Sequence, residues 1–296
     1  GIFWGFLLIQ LCAAPSRSLS GTISVPGDKS ISHRALILGA LTAGTTRISG
    51  LLESEDVFCT ISALRALGAK IEKLNEKSWH VAGCGVGGLS EPQGVLNLGN
   101  SGTGVRLLMG VAAMHHFTTF FTGDASLVKR PMTRVITPLT QMGATIQGRE
   151  NGFLPLSVAG KQSLMPIHYD LPLPSAQVKS AILIGGLAAQ GTSTIIESYP
   201  SRDHTERLLK RFGAEILITN NTNGSNNIIL VGEQELEATD ISIPGDPSSA
   251  AFIIVAALTT PKSEITIRGV GMNHHRIGLF ESLKKMGGDL TFSNED

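Results

Sequence analysis

The sequence predicts an α/β (or α+β) fold built from four copies of one repeated unit, and two recurring motifs support it. The first is a helix-like run that ends in glycine and continues into an alternating segment, at Gly68, Gly143, Gly213 and Gly287. The second is a serine that opens an apolar run rich in small residues, at Ser30, Ser101, Ser175 and Ser248. Hydrophobic residues make up 42% of the chain and charged residues 16%, so the chain can bury a large core.

The two motifs recur with the same period. Successive glycines are 75, 70 and 74 residues apart, and successive serines are 71, 74 and 73 residues apart. A glycine directly after an amphipathic run is typical of a helix end, and the alternating segment behind it indicates a strand. Each serine-led run predicts a buried helix with the serine near its N-terminus. A unit of this length is a domain-scale piece rather than one turn of a thin solenoid.

Charge and cysteine content exclude several classes of protein. Lys and Arg number 24, as do Asp and Glu, so the 296-residue chain has no net charge and lacks the basic excess of a general nucleic-acid binder. Cys12, Cys59 and Cys84 form no CxxC pair and no disulfide framework. We therefore expect free thiols, a reducing and cytoplasmic location, and no structural zinc.

Residues 1–14 are almost entirely apolar and carry no charge. The run is too short to cross a bilayer, and it lacks the positive flank of a signal peptide and an initial Met. Either it is an atypical export signal, or it is a chain start unrelated to the mature fold. We expect no membrane association elsewhere in the chain.

Cationic side chains accumulate beside the predicted helix starts. Because a helix N-terminus offers unpaired N–H groups and a partial positive charge, cations placed there suit a small polyanion. The cations in question are Lys29, Arg34, Arg106, Lys129, Arg130, Arg134, Lys179, Arg202 and Arg207. Ordinary helix capping and solvated charges are the alternative. Around Arg202, ion pairs of Asp203 and Glu206 with Arg202 and Arg207 are nearly as plausible as ligand contacts.

Recognisable metal and cofactor motifs are missing. Asp28 interrupts the Gly-Lys-Ser order that a phosphate loop requires. The histidines at 115–116 and 274–275 are adjacent pairs rather than residues spaced to hold a metal on one helix face. We therefore expect no metal site.

Six segments taken together resemble the 5-enolpyruvylshikimate-3-phosphate synthase family. The resemblance extends from about residue 18 to about residue 288. The matching segments are GDKSISHR (27–34), LGNSGTGVRLL (98–108), TGDASLVKRPM (122–132), SAQVKSA (175–181), SRDHTE (201–206) and IPGDPSSAAF (243–252). Their order and spacing make the resemblance specific.

The resemblance implies a two-lobed enolpyruvyl transferase fold in which each lobe holds three βαβαββ units. Residues 27–241 would form one complete lobe. Residues 1–26 and 242–296 would belong to the second lobe, which would be incomplete with about one unit. The implied reaction transfers the carboxyvinyl group of phosphoenolpyruvate (PEP) to the 5-hydroxyl of shikimate 3-phosphate and releases phosphate. It belongs to the shikimate pathway of aromatic amino acid biosynthesis and uses neither a metal nor an organic cofactor.

The resemblance also assigns substrate contacts. Lys29 would contact both substrates, and Ser30 and Arg34 would hold shikimate 3-phosphate. Gly102 and Arg130 would bind PEP, with Asn100 nearby. Ser175, Ala176 and Gln177 would bind shikimate 3-phosphate, and Gln177 would also reach PEP. Arg202 and Ser201 would reach the phosphate of shikimate 3-phosphate.

Two departures from the family limit what the resemblance implies. The family's proton-transfer Asp and Glu fall beyond Asp296, and the segment NHHR at 273–276 replaces the usual Asn-x-Thr-Arg. We therefore expect the chain to be an inactive fragment of an enzyme that is a monomer when complete. The alternatives are a non-catalytic anion-binding remnant and the sister transferase that acts on UDP-N-acetylglucosamine.

Overall fold

The structure is a computed structural model that describes residues 14–222 and 224–293. The apolar run at the start of the chain lies outside these residues, apart from Ala14, so its role stays a prediction. The strands are β1 (Ser20–Ser24), β2 (Thr42–Ser49), β3 (Lys70–Asn75), β4 (Ser78–Cys84), β5 (Leu96–Asn97), β6 (Thr118–Thr122), β7 (Thr145–Gly148), β8 (Leu156–Ala159), β9 (His168–Asp170), β10 (Thr192–Glu197), β11 (Ile216–Asn220), β12 (Asn226–Val231), β13 (Leu236–Glu237), β14 (Ile241–Ser242) and β15 (Glu264–Arg268). The helices are α1 (Lys29–Ala40), α2 (Glu55–Ala66), α3 (Gly102–Ala113), α4 (Thr133–Gln141), α5 (Ala176–Gly186), α6 (His204–Arg211), α7 (Pro247–Thr259) and α8 (Gly278–Lys285).

Three mixed sheets repeat one arrangement, in which a parallel pair of strands is extended by two antiparallel strands. In the second sheet β5 is parallel to β6, which is followed by β8 and β7. In the third sheet β9 is parallel to β10, which is followed by β12 and β11. In the first sheet β2 is followed by β4 and β3, and the short strands β13 and β14 both pair with β2 in parallel. The repeat read from the sequence is therefore a repeat of the sheet topology.

The predicted helix ends are confirmed. Gly68, Gly143, Gly213 and Gly287 each follow a helix and have φ values of 99°, 108°, 84° and 92°, which glycine adopts at low cost. A strand follows each of the first three glycines. The prediction of a strand after Gly287 is wrong for the described residues, since no strand forms between residues 288 and 293.

Three helices form the centre of the core. α1, α3 and α5 are buried over most of their length because small and apolar residues occupy every face. α3 and α5 approach closely at Gly110, where an added Cβ would lie 2.5 Å from the carbonyl oxygen of Ala181. Since the first residues of these helices carry most of the predicted site, this packing fixes where those residues stand.

The fourth apolar run is a helix, as predicted, but only part of it is buried. In α7 only Pro247 and Ala250 are buried, and Phe252 is 79% exposed. Within the described residues α7 packs on β15, and most of its other apolar residues are half-buried. No helix in the part of the chain that the structure describes is long and apolar enough to cross a membrane.

Two strand pairings join distant parts of the chain. β1 lies parallel to β15, while β13 and β14 return to the first sheet beside β2. The chain therefore crosses between its first and fourth units at two places, near residue 26 and near residue 244. The division into one complete and one partial lobe stays a prediction.

Candidate functional site

Aspartate and serine share the capping of the four repeated helices. Ser101 caps α3 by accepting a hydrogen bond from the Gly104 N–H at 3.0 Å, and Ser175 caps α5 by accepting one from the Val178 N–H at 3.4 Å. Asp28 caps α1 and Asp246 caps α7 instead. The serines predicted at these two starts, Ser30 and Ser248, therefore lie just inside the helix.

The first group of site residues, the α1 cluster, consists of Ser30, Arg34, Ser180, Arg202 and Thr205. Arg34 is 3% exposed and donates to Thr205 Oγ1 at 2.6 Å, to Ser180 Oγ at 2.8 Å and to the Ser30 carbonyl at 2.9 Å. Burial lowers the pKa of Arg34 to about 10, so it remains a cation at neutral pH. Its guanidinium is thus held rigidly beneath the first turn of α1.

Arg202 approaches the same turn from the start of α6. Its Nη1 lies 3.4 Å from Ser30 Oγ, so the Ser30 hydroxyl and the Arg202 guanidinium face one another. Burial lowers the pKa of Arg202, and nearby Arg276 lowers it further, while Asp28 and Asp246 oppose the shift. Two predicted contacts of one phosphate therefore meet, although 172 residues separate them in the sequence.

Ser201 belongs to a buried charged network. Its hydroxyl donates to Glu197 Oε1 at 2.5 Å, and Glu197 and Glu206 flank the Lys179 amine at 2.7 and 2.6 Å. Since that proton is directed at a carboxylate, the predicted contact of Ser201 with a ligand stays a prediction. Of the expected ion pairs, Asp203 with Arg207 is confirmed at 2.7 Å. The expected ion pair of Glu206 with an arginine is wrong, because Glu206 pairs with the buried Lys179 amine instead.

The second group, the α3 cluster, consists of Asn100, Gly102, Arg106, Arg130 and Gln177. Arg130 donates to the side-chain oxygen of Asn100, and its Nη1 would lie 3.3 Å from a Cβ added at Gly102. Arg106 Nη1 donates to Gln177 Oε1 at 2.9 Å and to the Gly102 carbonyl at 3.1 Å. Two guanidinium groups thus converge on the glycine that opens α3.

The sequence indicated Arg106 only as a cation beside a predicted helix start. In the structure it donates hydrogen bonds to both Gly102 and Gln177. Burial lowers its pKa, and the charges of Arg130 and Arg134 lower it further. Mutual repulsion of this kind indicates a place where an anion is favourable. Ser180 and Thr205 were likewise missed as partners of Arg34. Their one available signal was their position within the segments SAQVKSA and SRDHTE.

His33 connects the first turn of α1 to the start of α3 through the core. Its Nδ1 lies 2.8 Å from Thr60 Oγ1, and its Nε2 lies 3.5 Å from Ser101 Oγ, the cap of α3. Burial, together with the charge of Arg34, lowers the pKa of His33 to about 3, so the ring is neutral. Ala176 lies at the first position of α5, where its carbonyl accepts from Ser180 Oγ, which in turn accepts from Arg34.

Lys29 lies at the first position of α1, and its amine is 3.0 Å from Asp56 Oδ2. The lysine side chain is 49% exposed, and an ion pair of this exposure contributes little stability. The amine can therefore exchange Asp56 for an anionic ligand at small cost. Among residues 14–222 and 224–293, no three His, Cys, Asp or Glu side chains converge as metal ligands.

Comparison with known proteins identifies the family to which this architecture belongs. The family described as EPSP synthase (3-phosphoshikimate 1-carboxyvinyltransferase) matches residues 13–296. The chain belongs to the EPSP synthase family. The resemblance and the α/β fold class that it implied are thereby confirmed.

Relatives of this EPSP synthase family chain include two bacterial 3-phosphoshikimate 1-carboxyvinyltransferases. That of Parvibaculum lavamentivorans is 56% identical over 286 residues, which cover 97% of this chain and 63% of the relative. That of Rhodospirillum rubrum is 52% identical over 284 residues, covering 95% of this chain and 63% of the relative. The solved structure of EPSP synthase from Acinetobacter baumannii has a TM-score of 0.87 at 45% identity, covering 95% of this chain and 62% of that one. The chain thus spans just under two thirds of the length of these relatives.

Proposed function

We propose that the α1 cluster binds shikimate 3-phosphate and that the α3 cluster binds PEP. The reaction they serve is transfer of the carboxyvinyl group to the 5-hydroxyl, with release of phosphate. The observation that carries the proposal is the presence of two arginine-centred clusters, one at the start of α1 and one at the start of α3. The names of the relatives support it, because each is a 3-phosphoshikimate 1-carboxyvinyltransferase.

The electrostatics of this reaction explain why such clusters are needed. The two substrates bring two phosphates and two carboxylates together, and their repulsion must be offset before any bond can form. Arginine suits this task because its guanidinium stays charged and binds oxyanions through two N–H groups. The N-termini of α1, α3 and α5 add partial positive charge where the anions would lie.

Each of the two clusters would bind a different substrate. Ser30 and Arg202 would hold the phosphate of shikimate 3-phosphate, and the buried Arg34 would add positive charge beneath it. Gly102 leaves space at α3 for PEP beside Arg130, and Gln177, which accepts a hydrogen bond from Arg106, would contact both substrates. Lys29 would bridge the two substrates after leaving Asp56. Alignment of the 5-hydroxyl with C2 of PEP lowers the entropic part of the barrier.

In the proposed reaction the 5-hydroxyl oxygen bonds to C2 of PEP, the hydroxyl proton passes to a base, and a proton is delivered to C3, which becomes a methyl group. The tetrahedral intermediate then loses a proton from C3 to a base, and the C2–C3 double bond forms again as the bond from C2 to the phosphate oxygen breaks and phosphate leaves. Atoms and charge balance without an oxidant or a metal. The cations of the two clusters would stabilise the negative charge that is transferred to the departing phosphate.

Titration calorimetry on the purified chain tests the proposal. We expect shikimate 3-phosphate to bind, and PEP to bind more tightly once it is present. Arg202→Gln should weaken shikimate 3-phosphate binding about tenfold, since a hydrogen bond from a charged donor contributes roughly 1.5–3 kcal/mol. Arg130→Gln should weaken PEP binding by a similar factor. Arg47→Gln, at an exposed position of β2, is the matched control and should change neither affinity.

Two outcomes would overturn the proposal: no binding of shikimate 3-phosphate by the folded chain, or preferential binding of UDP-N-acetylglucosamine.

Phosphate release is then measured with both substrates, beside a Lys29→Ala variant. Release that disappears in this variant would show that residues 1–296 suffice for turnover. Binding without release would assign substrate binding to these residues and proton transfer to groups outside them.

A further inference from the structure

Two copies of the sequence Pro-Gly-Asp meet where the chain crosses between its first and fourth units. Residues 26–28 precede α1 and residues 244–246 precede α7. The two segments exchange backbone hydrogen bonds, from the Asp28 N–H to the Pro244 carbonyl and from the Asp246 N–H to the Pro26 carbonyl, both at 2.8 Å. The junction thus has an approximate two-fold symmetry that the repeats alone do not require.

The glycines of this junction have no room for a side chain. A Cβ at Gly27 would lie 2.0 Å from the carbonyl oxygen of Gly50, and one at Gly245 would lie 2.7 Å from Val25 Cγ2. The close approach holds the two cap residues, Asp28 and Asp246, near each other. Two carboxylates placed together repel unless a cation lies between them.

Arg276 supplies that cation. Its Nη1 lies 3.0 Å from Asp28 Oδ2 and its Nη2 lies 2.9 Å from Asp246 Oδ1, so one guanidinium binds both helix caps. Nη2 also donates to Ser248 Oγ at 2.9 Å. The side chain of Arg276 is 12% exposed, and that of Asp28 is 2% exposed, so solvent screens these pairs weakly.

Arg202, the predicted phosphate contact, lies near the same carboxylates because it approaches the first turn of α1, which Asp28 caps. The negative charges of Asp28 and Asp246 raise the pKa of Arg202, and the positive charge of Arg276 lowers it. Arg202 lies 3.4 Å from Ser30 Oγ and has no ion pair shorter than 4.0 Å within the described residues. Arg276 therefore occupies the acids that would otherwise draw Arg202 away from Ser30.

We propose that Arg276 is a positioning residue: by neutralising Asp28 and Asp246 it keeps Arg202 available to the phosphate of shikimate 3-phosphate. The inference rests on the proposed function of the α1 cluster. It assigns a role to a residue that lies outside that cluster, in the segment where this sequence departs from the family pattern. The effect is specific to the phosphate, because Arg202 is the group that Arg276 controls.

The test compares two ligands that differ only in this phosphate. The affinities of shikimate 3-phosphate and of shikimate are measured by calorimetry for the parent chain and for Arg276→Gln. We expect a loss of about tenfold for shikimate 3-phosphate, the size of one charge-assisted hydrogen bond, and less than about twofold for shikimate. Arg268→Gln removes the same charge from an exposed position of β15 and should change neither affinity.

A double variant separates positioning from folding. Adding Asp246→Asn to Arg276→Gln removes one of the acids that compete for Arg202, and asparagine still caps a helix. We expect the double variant to regain most of the affinity for shikimate 3-phosphate. Circular dichroism and thermal unfolding of each variant establish that the protein is folded.

The outcomes distinguish the two proposals. Failure of the parent chain to bind shikimate 3-phosphate would overturn the proposed function, and this inference with it. Equal losses for both ligands would overturn the positioning role alone, because they would show a general disturbance of α1. A double variant as weak as Arg276→Gln would do the same, since it would show that the competing carboxylate is not the cause.

Discussion

Replacement of Lys179 by methionine tests the buried network behind Ser201. The Lys179 side chain is 1% exposed, and its amine lies 2.7 Å from Glu197 and 2.6 Å from Glu206. Methionine fills similar space but leaves two buried carboxylates without a cation. Removal of one member of a buried ion pair costs about 3–5 kcal/mol, so the unfolding midpoint should fall by about 6 °C or more.

The dependence of this loss on pH follows from the carboxylates. Burial raises the pKa of Glu206 above its usual value of 4.5, and removal of Lys179 raises it further. Because the folded-state pKa then lies above the unfolded value, the folded state retains the proton, and stability falls as pH rises from about 4.5 to the raised pKa. We expect the difference between variant and parent to be smallest near pH 4.5 and largest above the raised pKa.

Thermal unfolding across this pH range is the assay, with Lys73→Met as the control. Lys73 pairs with Glu53 at the same 2.7 Å but is 40% exposed, so its replacement should cost less than about 1 kcal/mol. A triple variant that also carries Glu197→Gln and Glu206→Gln should regain most of the stability. If Lys179→Met cost no more than Lys73→Met at neutral pH, the reasoning from buried charge would be refuted.

Three other substitutions probe the clusters. Gly102→Ala would place a Cβ 2.9 Å from Arg106 Nη1, so PEP affinity should fall about tenfold in calorimetry while shikimate 3-phosphate affinity is retained. Arg34→Lys keeps the charge but loses the planar guanidinium, so shikimate 3-phosphate should bind about tenfold more weakly; unchanged affinity would exclude Arg34 from that subsite. Because the pKa of His33 falls from 6.5 to about 3 on folding, stability should decline as pH drops below 6.5. His33→Gln should reduce that slope by up to about 1.4 kcal/mol per pH unit in urea unfolding, and an unchanged slope would contradict the lowered pKa.

The repeats explain why these groups lie at equivalent places. Ser101 and Ser175 cap α3 and α5, and α1 begins beside the same clusters, so the helix starts bring three sets of N–H groups toward the predicted ligands. Arg34 and Arg106 lie on α1 and α3 themselves, whereas Arg130 directly follows the 3₁₀ turn Leu127–Lys129 and Arg202 enters from the start of α6. Repetition of the backbone thus provides the partial charges, and the full charges come both from the repeated helices and from the segments between them.

The sequence by itself determined the features that depend on near neighbours in the chain. Glycine after a helix permits positive φ whatever surrounds it, so Gly68, Gly143 and Gly213 predicted both a helix end and the following strand. Caps are equally local, and Ser101 and Ser175 were found at the predicted starts. The motifs also indicated Arg34, Arg130 and Arg202 as candidate ligand contacts, although not the side chains that they meet in the structure.

Only the tertiary structure decided the partners of those charges. Arg34 meets Thr205 across 171 residues, Arg106 meets Gln177 across 71, and Arg276 meets Asp28 across 248. No local pattern predicts such contacts, because they depend on how helices pack and on where the chain crosses between units. Burial of charge was likewise undetermined by the sequence, since the Lys179 side chain is buried between Glu197 and Glu206. Capping and turns are governed by interactions within a few residues, whereas burial and charge pairing depend on which surfaces the folded chain brings together.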